Sequence, residues 1–302
     1  ESASTAETGT GLTENIENFL ASRSGNSAGT VRTYRAYLSS YLKWNGGDGI
    51  DMHSYDRFIM HMRRKGHGQN GIATASAVLR AYARFLHINV QEWQSPRTQG
   101  VAINYLRPNQ IKLLRDACLQ GEKAELELFC FDFLLGTGLR VTELIKLMWT
   151  DIDLKEKTLI VREAKENKTR TIKFTATAWK AAMRWALFMY GEGATPERMQ
   201  LVAEKVIPLT SKEGVETMFR RIASRAHLDM IGLHPHLLRH TFAVIMIKYR
   251  IMSVRQLQLH LGHASIATTQ RYMQFALLES EQGLEDVDVA EPPMAVMEGL
   301  QF

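Results

Sequence analysis

The chain of 302 residues is 45% hydrophobic and 9% aromatic, with a formal net charge of +5. This composition is ample for packed cores, and the length predicts about two domains. A membrane or secreted protein is disfavoured, because the sequence shows neither an apolar run long enough for a bilayer nor a basic-then-apolar leader. Cys118 and Cys130 lie in core-like helical patterns, so we expect free thiols in a reducing cytoplasm, with a disulfide as the alternative.

The N-terminal part of the chain predicts a small helical domain. Residues 1–11 are small and polar with few apolar anchors, so we expect them to be disordered. Three helical stripes follow, in Thr30–Trp44, around Phe58 and around Leu79. Basic residues lie between these stripes, and such charges usually form a solvated face. They include Arg32, Arg35, Lys43, Arg80 and Arg84.

The periodicity breaks at residues 94–104, which predicts an interdomain linker. Helical patterns resume near Pro108, and a buried helix from Leu126 ends at Gly136-Thr137-Gly138. Arg140 would therefore begin the next helix, where a packed scaffold can hold its guanidinium in place.

A β-hairpin is predicted by Thr158–Val161 and Thr171–Phe174, which are joined by a polar turn around Glu166-Asn167. Lys165 lies near the tip of this hairpin. Further helical patterns cover Ala176–Tyr190, Gly214–Ala226, Leu237–Lys248 and Val254–Leu261.

The charge distribution indicates a basic body followed by an acidic tail. Residues 279–302 hold seven acidic residues and no Lys or Arg, which leaves 25 acidic against 37 basic residues in the rest. A basic body favours a polyanion such as nucleic acid as partner, although many equally basic proteins bind none.

Three blocks combine residue types that suit one kind of chemistry. They are Gly138-Leu139-Arg140-Val141-Thr142-Glu143-Leu144, His236-Leu237-Leu238-Arg239-His240, and Leu261-Gly262-His263 with Tyr272 nine residues further on. A phenol can act as a nucleophile, guanidiniums can hold a phosphate through paired donors, and imidazoles can transfer protons near neutral pH. Together these groups describe a metal-free site for moving a phosphodiester onto the protein.

The histidines could instead form a zinc site. His236 and His240 stand four residues apart, and His234, His260 and His263 complete the group. No Glu follows His236 as in the metalloprotease pattern, and neither cysteine is close in sequence. We therefore predict no metal and assign His236 and His263 to proton transfer.

These blocks resemble those of the tyrosine recombinase family, the phage-integrase-like DNA breaking and joining enzymes. The resemblance covers roughly Leu12 to Phe275. The catalytic positions that it implies are Arg140 as the first arginine, His236 and Arg239 as the His-x-x-Arg pair, His263 as the Leu-Gly-His histidine, and Tyr272 as the nucleophile. Glu143 falls at the acidic position that would orient Arg140, whereas His240 has no role in the family pattern and is expected to be structural.

The same resemblance implies a catalytic lysine on the hairpin, and Lys165 is the best match. The sequence departs from the family here, because Ala164 and Glu166 flank Lys165, where the family usually has Gly before the lysine and often Gly after it. Lys168 therefore remains a second candidate. In this role the ammonium would protonate the leaving 5′ oxygen.

The implied fold is mainly α with a small β-hairpin or sheet. Residues 12–93 would form an N-terminal helical core-binding (SAM-like) domain, and residues 105–278 a C-terminal tyrosine-recombinase catalytic domain. The residues that would contact the DNA backbone are Arg32, Arg35, Lys43, Arg80, Arg84 and, in the linker, Arg97.

The implied function is site-specific DNA recombination or integration through a 3′-phosphotyrosyl intermediate and a Holliday junction, with no cofactor. Its partners would be double-stranded DNA and further copies of the chain in a homo-tetramer. Two alternatives stay open: a type IB topoisomerase-like relaxing enzyme, and a catalytically silent DNA-binding protein of the same fold. The acidic tail 279–302 is expected either to dock in trans on a neighbouring protomer or to stay disordered.

Overall fold

The computed structural model describes residues 9–96, 104–162, 169–263, 266 and 269–273. Several sequence predictions fall outside these ranges, namely those for residues 1–8, Arg97, Lys165, Lys168 and the tail 279–302. The chain divides into two compact units, Glu1–Val101 and Ala102–Phe302, and the division falls within the predicted linker 94–104. The finer domain limits stay predictions. In the part of the chain that the structure describes, no helix is long and apolar enough to cross a membrane.

The described part of the N-terminal unit contains four helices, α1 (Gly9–Ser22), α2 (Ala28–Asn45), α3 (Met52–Arg64) and α4 (Gln69–Phe85). The sequence predicts the last three and misses α1, which begins inside the segment 1–11 that we expected to be disordered. Ile16, Phe19 and Leu20 of α1 are all buried, and the Phe19 ring packs against Tyr82 of α4 with 5.5 Å between centroids. These residues stand at i, i+3 and i+4, the spacing of a packed helix face.

The C-terminal unit is built around one buried helix. Its helices are α5 (Pro108–Leu119), α6 (Ala124–Thr137), α7 (Val141–Lys146), α8 (Ala176–Tyr190), α9 (Pro196–Met199), α10 (Lys212–Arg225), α11 (Pro235–Lys248) and α12 (Val254–Leu261). Helix α6 is buried on nearly all sides and packs against α5, α8 and α11, as expected for a helix inside a core. Cys118 and Cys130 are both buried and free, which excludes the disulfide alternative. Burial raises the pKa of the Cys118 thiol to about 12.

A small antiparallel sheet lies in the same unit. Its strands are β1 (Ile152–Asp153), β2 (Thr158–Arg162) and β3 (Thr169–Lys173), in the order β1-β2-β3. The predicted hairpin corresponds to β2 and β3, which pair Val161 with Arg170. The sequence does not predict β1, because two residues are too few to show an alternating pattern. The prediction of a mainly helical fold with a small sheet is confirmed.

The junction between α6 and α7 positions Arg140. Gly138 ends α6 in the left-handed conformation, with φ +66°, and its N–H donates to the Leu134 carbonyl at 2.9 Å. Arg140 is the N-cap of α7, and its backbone N–H donates to the Glu143 carboxylate at 2.8 Å. The Arg140 guanidinium therefore projects from the start of a helix, where the sequence predicts it.

Candidate active site

Tyr272 is buried in the C-terminal unit, within the helical residues 269–273. Its side chain is 3% exposed, and its phenol oxygen lies 2.6 Å from Nδ1 of His240. The His263 ring lies nearly parallel to the phenol ring, with 6.3 Å between centroids. The apolar residues of the same cluster are Phe242, Ala243, Val244, Met246, Leu257 and Leu261.

The surroundings of Tyr272 keep its phenol protonated. Burial raises the pKa of Tyr272, and the positive charges of Arg239 and Arg271 oppose this rise without cancelling it. A buried neutral phenol is a weak nucleophile, so the site must provide a group that removes the proton during attack.

Arg239 is a buried cation with fixed partners. Only 3% exposed, it donates through Nη1 to the Gly138 carbonyl at 2.8 Å and through Nη2 to the Leu261 carbonyl at 2.6 Å. Burial, assisted by the nearby charge of Arg140, lowers the pKa of Arg239 to about 10. The guanidinium therefore remains charged at neutral pH, and two backbone groups hold its orientation.

Arg140 lies beside this buried cation and is more accessible. Its Nη2 donates to the Gly262 carbonyl at 3.0 Å, and its Nη1 to Glu143 at 2.8 Å. One third of its side chain is exposed, at 33%. The guanidiniums of Arg239 and Arg140 therefore bind the consecutive carbonyls of Leu261 and Gly262, and Arg140 is the more exposed of the two.

Glu143 joins Arg140 to a further arginine that the sequence did not single out. Arg170 of β3 donates through Nη2 to both Glu143 oxygens, at 3.1 Å each, and through Nε to the His260 carbonyl at 2.9 Å. Burial alone would raise the pKa of Glu143, but Arg170 and then Arg140 outweigh it and hold the pKa below its usual value. Glu143 is therefore an anion shared by two cations. The strand pattern could have revealed Arg170, which stands two residues before the buried Ile172 on the same face of β3.

The histidines close to Tyr272 are neutral at physiological pH. Burial and the neighbouring arginine charges, first Arg239 and then Arg140, lower the pKa of His263 to about 4. Burial, followed by the charge of His236, lowers the pKa of His240 to about 4. The pKa of His236 is lowered as well, mainly by burial and then by Arg239. Each ring can therefore offer one donor and one acceptor.

His240 is the contact that the sequence did not anticipate. We expected a structural residue there, yet its ring nitrogen touches the oxygen of the candidate nucleophile. The sequence did indicate this residue, because it stands four positions after His236 on α11 and the two rings lie on one helix face, with 6.4 Å between centroids.

His260, by contrast, donates from Nε2 to the Thr137 carbonyl at 2.9 Å and serves the packing of α12. Among the described residues, no group of three or more His, Cys, Asp or Glu is arranged to hold a metal ion.

The hairpin that contains the predicted lysines is connected to this site. β2 ends at Arg162 and β3 begins at Thr169, while Lys165 and Lys168 lie between them, outside the described residues. β3 is joined to the arginines through the Arg170–Glu143 ion pair. The choice between the two lysines therefore stays a prediction.

The residues of the N-terminal unit that we predict to contact DNA differ in whether their side chains already have a partner within the chain. Arg32, Lys43 and Arg84 are exposed. Arg35 pairs with Glu17, with one N–O distance of 2.9 Å, and Arg80 donates to Ser95. A role in DNA binding stays a prediction for all of these residues, and Arg97 lies outside the described ones.

Known proteins resemble this chain in sequence and in fold. Residues 104–277, more than half of the chain, match the phage integrase family. The tyrosine recombinase XerA of Thermococcus kodakarensis is 28% identical over 289 residues, which cover 93% of this chain and 96% of the relative.

Two solved structures share the fold at 16% sequence identity and a TM-score of 0.69. One is the XerH site-specific recombinase bound to palindromic difH substrate in a post-cleavage complex, where the similarity covers 93% of this chain and 85% of that one. The other is a lambda integrase tetramer bound to a Holliday junction, with 91% and 79% covered. The family that the sequence motifs predict is thus confirmed: the chain belongs to the phage integrase family and is a tyrosine recombinase.

Proposed function

We propose that the chain is a site-specific DNA recombinase that breaks and rejoins strands through Tyr272. In the breaking step a bond forms between the phenol oxygen and phosphorus, and the bond from phosphorus to the 5′ oxygen breaks. A 3′-phosphotyrosyl link and a free 5′ hydroxyl result. A 5′ hydroxyl of a partner duplex then reverses the step, by way of a Holliday junction, and releases Tyr272. Because the covalent link conserves the energy of the phosphodiester, the reaction calls for neither ATP nor a metal ion.

The observation that carries this proposal is the pair of guanidiniums fixed at adjacent carbonyls. Arg239 binds the carbonyl of Leu261, and Arg140 binds that of Gly262. Phosphoryl transfer depends on cations that stabilise the charge of the non-bridging oxygens. Each well-placed donor group of this kind contributes on the order of 3 kcal/mol. Arg239 also acts electrostatically on Tyr272, which supports the phenol as the attacking group.

The remaining groups would transfer protons and donate or accept hydrogen bonds. His236 and His263, both neutral at pH 7, would bind the phosphate oxygens and take part in proton transfer. Glu143 would orient Arg140 through the two hydrogen bonds described above. Lys165, or Lys168 in its place, would give a proton to the leaving 5′ oxygen.

We further propose double-stranded DNA as the partner and a homo-tetramer on two DNA sites as the active assembly. The basic excess outside the acidic tail supports DNA as partner, and the related lambda integrase forms a tetramer on a Holliday junction.

A cytoplasmic location stays a prediction. Docking of the tail 279–302 in trans is also a prediction. If it is correct, truncation after Leu284 abolishes recombination and spares binding to a single site.

The proposal is tested by trapping the DNA that becomes joined to the chain. The substrates are nicked duplexes prepared from a library of the source genome. Cleavage next to a nick releases the cleaved strand, so that rejoining is prevented and the covalent complex accumulates. Sequencing of the attached DNA should return one recurring site, and two copies of that site on a plasmid should recombine. Attachment without sequence preference, together with relaxation of any supercoiled plasmid, would point to a topoisomerase instead. No attachment to any duplex would overturn the proposal.

A further inference from the structure

His240 lies within hydrogen-bond distance of the Tyr272 phenol. Nδ1 and the phenol oxygen are 2.6 Å apart, and the ring centroids are 5.7 Å apart. The phenol is almost fully buried and His240 is partly buried. A contact of this length away from bulk water is a strong hydrogen bond. Its chemical meaning depends on which of the two atoms carries the hydrogen.

The other imidazoles near Tyr272 are less well placed to take its proton. Nδ1 of His263 lies 2.9 Å from the Thr269 hydroxyl, and the His263 ring is nearly parallel to the phenol ring at 6.3 Å. The His236 ring lies beside His240, with 6.4 Å between centroids. Among the described residues, His240 alone is within hydrogen-bond distance of the phenol oxygen.

The surroundings of His240 favour one direction of the hydrogen bond. Burial, followed by the charges of His236, His234 and Arg239, lowers the pKa of His240 to about 4, so the ring is neutral and one nitrogen has no hydrogen. The pKa of Tyr272 is raised, so the phenol keeps its proton. An O–H that donates to the unprotonated Nδ1 satisfies both groups.

We propose that His240 accepts the phenol proton of Tyr272 while the phenol attacks phosphorus, an inference that rests on the proposed recombinase function. The electron pair of the O–H bond stays on the phenol oxygen, the oxygen–phosphorus bond forms, and the proton moves to Nδ1 and gives an imidazolium. The leaving 5′ oxygen takes its own proton from another group. On rejoining, the imidazolium returns its proton to the phenol oxygen as the oxygen–phosphorus bond breaks. Because the buried imidazolium is acidic, this return is favourable.

The first test is the pH dependence of covalent attachment, measured on the trapped site. His240→Asn keeps an acceptor for the phenol but removes the base, so attachment at pH 7 should fall by roughly 10² to 10⁴. The ratio of variant to wild-type rate should then rise about tenfold per pH unit from pH 7 to 9, because ionised phenol replaces the missing base. His234 is the N-cap of α11, and its Nδ1 accepts from the Leu237 N–H at 3.2 Å. His234→Asn keeps an acceptor for this N–H and should match the wild type. A loss in His240→Asn that is constant with pH would reduce His240 to a packing role and overturn the proposal.

A second test needs no DNA and separates this inference from the proposed function. Nitrogen NMR of histidine-labelled protein distinguishes an unprotonated Nδ1 from one that bears hydrogen. The wild type should show an unprotonated Nδ1 at His240 whose resonance shifts in Tyr272→Phe. A hydrogen found on Nδ1 would overturn the proposal even if attachment proceeds. If the wild type attaches to no DNA at all, the recombinase function fails, whereas the NMR result still decides the direction of the hydrogen bond.

Discussion

Arg170 donates from Nη2 to both carboxylate oxygens of Glu143, at 3.1 Å each, across 27 positions in the sequence. Glu143 accepts in addition from the backbone and the guanidinium of Arg140. The Glu143 side chain is 8% exposed and that of Arg170 13%. A single buried carboxylate therefore attaches the β-hairpin to the arginine at the start of α7.

Removal of this carboxylate should destabilise the C-terminal unit. In Glu143→Ala two neighbouring guanidiniums lose their shared anion, and loss of one partner from a buried ion pair costs about 3 to 5 kcal/mol. The matched control is Glu216→Ala, which removes the exposed pair with Lys212 and should cost less than about 1 kcal/mol. Urea unfolding of both variants gives the two free energies. Equal losses would show that the Glu143 network contributes no more than a surface pair.

A side chain at Gly138 should destabilise the C-terminal unit. A Cβ there would lie 2.6 Å from the Phe242 ring, and the residue has a φ of +66°. Gly138→Ala should therefore cost about 3 kcal/mol, of which roughly half comes from the left-handed backbone and half from overlap. Gly232 has a similar φ of +61° with nothing within 4 Å, so Gly232→Ala isolates the backbone cost of about 1 to 2 kcal/mol. Equal unfolding midpoints for the two variants would contradict the overlap.

His260 should make stability fall as the solution becomes acidic. Burial lowers its pKa to about 4, below the value of about 6.5 in an unfolded chain. Between these two pH values the unfolded state binds more protons, so stability decreases as pH falls from 7 to 5, by about 2 kcal/mol for this residue. His260→Gln retains a donor for the Thr137 carbonyl and removes the titration. The acid-induced loss should therefore be smaller in the variant by that amount, as measured by urea unfolding at both pH values. An unchanged loss would mean that His260 titrates normally.

Local sequence patterns predict the fold and the main site residues, but they do not predict the contacts that bring these residues together. The glycine that ends α6 and the N-cap position of Arg140 follow from the neighbouring residues alone. The hydrogen bond from Arg239 to the Gly138 carbonyl joins residues 101 positions apart. Such a contact depends on the packing of α11 against α6, which no local pattern encodes.

The site residues that we did not predict from the sequence lie outside the matched family positions, and only their periodic spacing indicated them. Arg170 shares a strand face with Ile172, and His240 shares a helix face with His236. A period of two or four shows which residues share a face, but it does not name the partner of a polar residue on that face. In α1 the apolar spacing was present, but it begins directly after a polar segment that we expected to be disordered.

The assignment of the leaving-group acid to Lys165 predicts a specific rescue. Lys165→Ala should reduce attachment to a normal phosphodiester by roughly 10² to 10⁴. A substrate with sulfur at the 5′ bridging position should restore the rate, because a thiolate leaves without a proton. Lys168→Ala should change little on either substrate. The opposite pattern in the two variants would transfer the role to Lys168.

The identity of the nucleophile is tested most directly by Tyr272→Phe. The variant lacks only the phenol oxygen, so it should bind the identified DNA site with nearly unchanged affinity and form no covalent complex. Tyr249→Phe, which removes the oxygen of a partly exposed tyrosine in the same unit, should form the complex at the wild-type level. The measurement is the yield of protein-linked strand from a nicked, end-labelled site after denaturation. A normal yield from Tyr272→Phe would contradict the account.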